Sequence, residues 1–367
     1  MKTDKKKVIL FVSNDLVCDN RVHKMALTLT KADFNVLVVG RKLPKSLPLH
    51  DVPYETERLR FIFTKGALFY AEMNLRYFLF LLFRSFDIAT ANDLDTLLGV
   101  YCAARLRRRR IVYDSHEYFT EVPELTNRHF VKRIWTALEN CLFPRIKNCI
   151  TVCESIAEIY RKKYGVSISV VRNLPSFRQQ QADSQPNGKI ILYQGALNVG
   201  RGLEMLISAM EFIPDAKLLI VGDGDIRDEL QNLVRQKKLD DRVEFVGRVP
   251  YSEVGNYTQM STIGVSLEDD CCANYRFALP NKLFDYIQAR KPVLVSDLPE
   301  MARIVRQYCC GEVLQKRTAQ DLAEQIRELL ANPEKLREYI ANCETAAHEL
   351  CWEREEQQVL NVYSHLL

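Results

Sequence analysis

Short runs of β-branched and aliphatic residues, each leading into a helical pattern, recur along the whole chain, and they limit the fold more than any other feature. In the first half the runs are KVILFV (7–12), FNVLVVG (34–40), DIATAND (87–93), RIVYDSHE (110–117), NCITVCE (148–154) and SISVVRN (167–173). They are continuous rather than alternating, as strands buried on both faces must be. Strands that alternate with helices predict a doubly wound parallel α/β sheet. FRQQQADSQPNGK (177–189) is polar and without periodicity, so it reads as a linker. Beyond it the alternation restarts with KIILYQG, AKLLIVGDG, RVEFVG, TIGVSLE and PVLVSD. The sequence therefore predicts two α/β domains, 1–178 and 189–350, with a linker at 179–188 and a closing helix over 351–367.

Charge divides the chain at nearly the same place. Residues 1–182 hold 30 Lys and Arg against 18 Asp and Glu, a net +12, while the remainder holds 21 against 29, a net −8. Two halves of opposite sign suggest different partners. The apolar run after the basic Met1–Lys7 is too short for an export signal. Tyr77–Phe83, bounded by Arg76 and Arg84, falls far short of the ~20 residues of a membrane span. The eleven cysteines show no C-x-x-C pair with histidines at zinc spacing, which predicts reduced thiols, a cytoplasmic protein and no metal.

Ligands of open parallel sheets bind beyond the carboxyl ends of the strands. The candidates there are Asn14 and Asp15, Asn92 and Asp93 on to Asp95, His116 and Glu117, the Gly195–Gly202 loop, Gly222 and Gly224 on to Asp225, and the segment from Glu268 to Lys282. Gly195, Gly200 and Gly202 let backbone approach a ligand, and Arg201 beside a helix start offers a fork for phosphate oxygens. The first strand lacks the glycine fingerprint of a dinucleotide site, which argues against a nicotinamide enzyme. Lys282 lies in the first turn of the helix that Pro280 and Asn281 open, where a cation opposes the helix dipole unless an anion is near. Pairing with Asp285 one turn later is the plainer explanation. Asp223 and Asp225 read as caps of the next helix, and so does Asp93 or Asp95. RLRRRR (105–110) suits a helix end and lacks the interleaved aromatics of a nucleic-acid surface. The apolar stretch 67–84 is expected to be mostly core, its exposed remainder resting on an anionic membrane surface.

In order along the chain, DNRVHKMALTL (19–29), ANDLDTLLG (91–99), YDSHEYFTEVPEL (113–125), TVCESIAEIYRKKYG (151–165), YQGALNVGRGLEMLI (193–207), LLIVGDGD (218–225), PNKLFDY (280–286) and WEREEQQVLNVYSHL (352–366) resemble the family 4 glycosyltransferases. The resemblance implies the GT-B architecture, two Rossmann-like domains facing a central cleft, with the last helix crossing back to the N-terminal domain. It implies a retaining, metal-independent transfer of a sugar from a UDP- or GDP-linked donor, without a cofactor. The N-terminal domain would take a glycan or lipid-linked acceptor and the C-terminal domain the donor.

By the same resemblance Arg201 falls where the family has a lysine on the donor diphosphate, while Ala196 stands at the position of its arginine, so Lys282 would supply the second charge. Asp285 falls on the ribose-binding glutamate. Phe277 replaces the other glutamate of that motif, and Glu268 or Asn274 would take over its sugar contact. His116 matches the active-site histidine, and Val249 the backbone that contacts the base. The resemblance places the product in surface polysaccharide or glycoconjugate synthesis at the inner membrane face. The competing readings are a nucleotide-sugar epimerase or hydrolase of the same fold, and a non-catalytic membrane-associated scaffold.

Overall fold

The computed structural model describes residues 5–49, 51–179 and 188–366, and these divide into two compact units. The first comprises residues up to Asn173 and those from Glu355 onward, and the second runs from Leu174 to Arg354. The predicted 179–188 linker lies, apart from its ends, outside the described residues.

The N-terminal unit is built on β1 (Lys7–Phe11), β2 (Asn35–Arg41), β3 (Glu55–Leu59), β4 (Ile88–Asn92), β5 (Arg110–Ser115), β6 (Cys149–Thr151) and β7 (Ile168–Val170). All pair in parallel, in the order β3-β2-β1-β4-β5-β6-β7. The interior strands are buried on both faces, Val8 through Phe11 and all of Ile88–Asn92 among them, which explains their unbroken apolar runs. β3 is the strand that sequence patterning misses. It lies at the sheet edge, and its sequence ETERL is half-exposed and polar, as edges that avoid pairing with other chains tend to be.

The C-terminal unit repeats the plan with β8 (Ile190–Gln194), β9 (Lys217–Val221), β10 (Val243–Gly247), β11 (Ile263–Ser266), β12 (Val293–Val295) and β13 (Gly311–Val313), ordered β10-β9-β8-β11-β12-β13. The edge strand β13 (GEV) is too short to show a pattern. The helix Trp352–Ser364 begins in this unit, where Trp352 N donates to Pro175 O at 2.8 Å. From Glu355 it belongs to the N-terminal unit: Tyr363 Oη lies 2.7 Å from Thr90 Oγ1, and Thr28 Oγ1 donates to Glu356 Oε2 at 3.2 Å.

In each sheet the strand order reverses once, between β1 and β4 and between β8 and β11. Loops part to opposite sides there and open a crevice for a ligand.

The helix Gly66–Phe83 departs from expectation. Only the Phe69, Met73, Tyr77 and Leu81 stripe, with Asn74, is buried, and Leu68, Leu75, Leu79 and Phe83 are exposed. Asn74 ties it to the Leu94–Leu106 helix by donating to Asp95 O and accepting from Gly99 N.

Candidate functional site

In the C-terminal unit the β8 and β11 loops bring together residues that are far apart in sequence. Glu268, just past β11, is fully buried. Its Oε2 accepts from Ser266 Oγ at 2.7 Å. Its Oε1 faces two cations, Lys282 Nζ at 2.9 Å and Arg201 Nη1 at 3.3 Å. Burial alone would raise the Glu268 carboxyl, yet the charges of Lys282 and Arg201 and the Ser266 hydroxyl outweigh it and hold it near about 2. The anion that a first-turn lysine requires is thus supplied by the chain itself. Lys282 pairs with Glu268 rather than with Asp285, whose Oδ2 instead accepts from Gln194 Nε2 at 3.1 Å.

Two cations against one carboxylate leave one net positive charge. Arg201 stacks over the Tyr275 ring at 4.5 Å and Lys282 over the Tyr193 ring at 4.0 Å, contacts that fix their direction. Arg201 Nε and Lys282 Nζ are nevertheless buried without a hydrogen-bond acceptor among the described residues. Lys282 Nζ still keeps its ion pair with Glu268 at 2.9 Å. Buried donors are rarely left without an acceptor, and an anion reaching the loop would find Arg201 Nε unoccupied.

The neighbouring glycines divide by what surrounds them. A Cβ on Gly195 would meet Lys282 Cε at 3.7 Å, so this residue, with φ +136°, lines the cationic pocket. A Cβ on Gly222 would strike Gly195 O at 1.9 Å, and Gly202 and Gly224 press as closely on Leu267 and Leu197. Those three serve the packing of the loops. Gly200 adjoins Tyr275 and Cys271. Asn274 is buried beside Tyr275 on the single-turn helix Ala273–Arg276, Asn281 is exposed at its helix start, and Val249 packs half-buried against the core.

Asp223 and Asp225 do not cap. The helix Arg227–Gln236 starts from Ile226 without a side-chain cap, and Asp223 Oδ1 accepts from Gly224 N at 3.0 Å and Arg227 Nη1 at 3.5 Å.

At the β1/β4 crevice the N-terminal unit gathers carboxylates. Asp93 occupies the N-cap position of the Leu94–Leu106 helix with φ 61°, a conformation uncommon outside glycine, and its side chain makes no cap bond. Oδ1 instead accepts from His116 N at 2.8 Å, and Oδ2 lies 3.4 Å from His116 Nδ1. His116 Nε2 faces Asp114 Oδ2 at 3.4 Å and Asn92 Oδ1 at 3.3 Å. Both ring nitrogens thus face oxygen acceptors, which suits the doubly protonated ring. Burial works against that charge, but Asp93 and Asp114 prevail and push the imidazole up to about 9.

Burial, then the charge of Asp93, raises Asp95 to about 7, and its Oδ1 is buried without a partner among the described residues. Asp15 accepts from Arg58 Nη1 at 3.2 Å, and Asn14 Nδ2 donates to Asp19 Oδ2 at 3.3 Å. Asn92 is fixed by donating to Phe11 O, and Glu117 O accepts from Ser115 Oγ.

Several residues here escaped the sequence reading. Arg21 and Asp114 form a fully buried bidentate pair, Nε to Oδ2 at 3.0 Å and Nη2 to Oδ1 at 2.7 Å. Tyr193, Tyr275 and Ser266, which shape the cationic pocket, look like ordinary strand and core residues in sequence.

The C-terminal half, residues 176–345, matches the family described as glycosyl transferases group 1, and residues 19–174 match glycosyltransferase family 4. Among curated proteins, a phosphatidyl-myo-inositol mannosyltransferase of Mycobacterium leprae is 27% identical over 210 residues, 54% of this chain and 51% of that one. An uncharacterised glycosyltransferase of Methanocaldococcus jannaschii is 25% identical over 48% of each. The chain spans about half the length of the curated relatives it matches. Among solved structures, sucrose-phosphate synthase from Thermosynechococcus elongatus superposes with a TM-score of 0.81 at 18% identity over 99% of both chains. Anabaena HepE in complex with UDP-glucose gives 0.73 at 15% identity over 98% of this chain and 99% of that one.

Proposed function

The chain belongs to the family 4 glycosyltransferases, with their GT-B fold, and from that premise we propose that it moves a sugar from a UDP- or GDP-linked donor to a glycan or lipid-linked acceptor. Transfer proceeds with retention, needs neither metal nor cofactor, and serves surface polysaccharide or glycoconjugate synthesis at the cytoplasmic face of an anionic membrane.

One observation carries this reading: at the β8/β11 crevice two cationic side chains, Arg201 and Lys282, share the single carboxylate of Glu268, and Arg201 Nε is buried without an acceptor among the described residues. As the glycosidic bond breaks, negative charge grows on the departing diphosphate. Preorganised cations at that point stabilise the transition state more than the ground state. That HepE was crystallised with UDP-glucose supports a UDP donor.

Glu268 is fully buried and engaged by Lys282, Arg201 and Ser266, so it is unsuited to attack the sugar. With no other carboxylate placed as nucleophile, the acceptor hydroxyl attacks on the face the diphosphate leaves, and its proton passes to the departing phosphate. His116 orients the donor sugar. Asp285 takes the ribose, the backbone at Val249 the base, and Asn274 and Asn281 border the donor. Asn14, Asp15, Asn92, Asp93 and Glu117 serve the acceptor.

The test is a thermal-shift panel of UDP, GDP, ADP and their sugars on the native chain and on Arg201→Ala. A nucleotide at 100 times its dissociation constant adds ~2.7 kcal/mol. Stabilisation by one nucleotide, lost in the variant, is the expected result and identifies the donor. Silence toward all of them would overturn the reading in favour of a non-catalytic scaffold. Sugar release or isomerisation without an acceptor would favour the hydrolase or epimerase.

A further inference from the structure

Arg201 and Glu268 owe their placing to two loops that lie backbone against backbone. Asp269 N donates to Gly200 O at 2.8 Å, and a Cβ on Gly202 would strike Leu267 O at 2.2 Å. Residues 267–269, just past β11, therefore grip the chain on both sides of Arg201. Between the two grips they carry the Glu268 carboxylate that faces Arg201 and Lys282. A shift of this loop would move the arginine backbone and the shared carboxylate together. Residues beyond a strand end have no sheet ladder to hold them, and Leu267 and Glu268 are buried, so their carbonyls need partners from elsewhere.

One side chain supplies them. Arg317 lies past the edge strand β13, in the polar stretch 315–318, and reaches back over β12 to the β11 loop. Its Nη2 donates to Leu267 O at 3.0 Å, and its Nη1 to Glu268 O at 3.1 Å and to Ser296 Oγ, just past β12, at 2.6 Å. Nη2 also pairs with the Asp269 carboxylate. All three residues of the loop are thus bonded to one planar group. Its far end is fixed as well: Leu314 N donates to Val295 O at 2.7 Å, and Thr318 caps the helix Ala319–Leu330 by accepting from Asp321 N at 3.1 Å. A guanidinium can meet several acceptors at once with its rigid fork, whereas the ammonium of a lysine is a point charge on a flexible stem. As a partly exposed ion pair with Asp269 alone, Arg317 would contribute little. The two main-chain carbonyls give it a further task, because they belong to the loop that bears Glu268.

We propose that Arg317 is a positioning residue of the anion site: by tying residues 267–269 to the ends of β12 and β13, it holds Glu268, and through it Arg201 and Lys282, in the arrangement that receives a diphosphate. The inference rests on the proposed function only for the nature of the anion. The experiment is titration calorimetry, well below the melting temperature of each protein, on the native chain, Arg317→Met, Arg317→Lys and Asp269→Asn. The probes are inorganic pyrophosphate, the nucleoside diphosphate that the native chain binds, and the corresponding nucleoside.

Arg317→Met should weaken pyrophosphate and the nucleoside diphosphate alike by about tenfold, the effect of misplacing one hydrogen bond to a charged group, and should leave the nucleoside unaffected. Arg317→Lys, which keeps the charge but not the fork, should recover part of the loss. Asp269→Asn, which removes only the exposed ion pair, should change affinity by less than about twofold. Native affinity for pyrophosphate in Arg317→Met would overturn the proposal. So would an equal loss for the nucleoside, which marks a general loosening of the unit. If Arg317→Met does not fold, Arg317→Lys decides by the same two criteria, since a loss confined to the two diphosphates supports the role and any other pattern overturns it. A native chain that binds pyrophosphate but no nucleotide would sink the donor reading and leave the Arg317 comparison standing on pyrophosphate. A native chain that binds neither would sink both.

Discussion

Each unit sets an arginine against a fully buried carboxylate, Asp114 in one and Glu268 in the other, and the two pairs are built differently. Arg21 spends all its forward donors inside the protein: Nε and Nη2 on Asp114, and Nη1 on Val171 O at 2.8 Å. Arg201 makes a single contact with Glu268 at 3.3 Å, remains 23% exposed, and leaves Nε without an acceptor among the described residues. A pair that consumes its donors is framework. A pair that leaves donors idle, where the loops of a switch point converge, is set for an anion from outside.

The largest effect expected from this contrast is at Arg21. Arg21→Met strips the buried Asp114 of its bidentate counter-ion and leaves only His116 at 3.4 Å, a change that costs about 3–5 kcal/mol. Urea unfolding should show that loss, while nucleotide stabilisation of the folded fraction stays as in the native chain. A folded Arg21→Met protein blind to nucleotide would break the distinction.

Glu268→Gln sharpens the same contrast from the other side. It leaves Lys282 and Arg201 facing one another without their shared anion, at a cost of ~3 kcal/mol. Here an external anion can replace what was removed. Saturating UDP, GDP or inorganic pyrophosphate should restore most of the lost stability in a melting experiment, and uridine should restore none. The same anions should do nothing for Arg21→Met. Equal rescue of both variants, or of neither, would mean that the two pairs do not differ in kind.

The sequence reveals the interior strands because burial on both faces forces them into apolar runs, as in Val8–Phe11 and Leu218–Val221. It hides β3 and β13 because edge strands lack that pressure. Lys282 was legible through one physical argument, a cation misplaced in a first helical turn. The same argument applies to Arg21, in the first turn of the helix Asn20–Lys31, and would have found the second pair. Nothing in the sequence names the partners. Glu268 follows a strand and Asp114 lies near the end of one, as many acids do, and only the strand order brings them to their cations. The 66–83 helix misleads for a related reason: its apolar residues cover all sides, and sequence does not tell which side a neighbour fills.

A smaller effect distinguishes His116, the cation of the carboxylate-rich crevice. Its folded-state pKa, about 9, lies above the ordinary 6.5. Its contribution to stability is therefore complete below pH 6.5 and is lost as pH rises through about 9. A shift of this size corresponds to roughly 3 kcal/mol. His116→Gln should fall short of the native chain by that amount near pH 6 and match it near pH 10. A stability difference that does not change between those pH values would mean that His116 is not held as an imidazolium.

The smallest effect lies at the second glycine loop, where sequence and structure assign Asp223 opposite duties. As a helix cap it would be worth ~1 kcal/mol, since a cap oxygen satisfies amides that otherwise have no partner. In the structure it accepts from its neighbour Gly224 N and from Arg227 at 3.5 Å, with its side chain 48% exposed. Exposed ion pairs of that kind contribute little, so Asp223→Ala should shift stability by no more than ~0.5 kcal/mol. Salt separates the two duties further. The ion pair is screened, so the small difference between native and variant chains should vanish in molar salt, whereas a cap bond to backbone amides would largely survive it. A loss near 1 kcal/mol that persists in salt would return Asp223 to the role its sequence suggests.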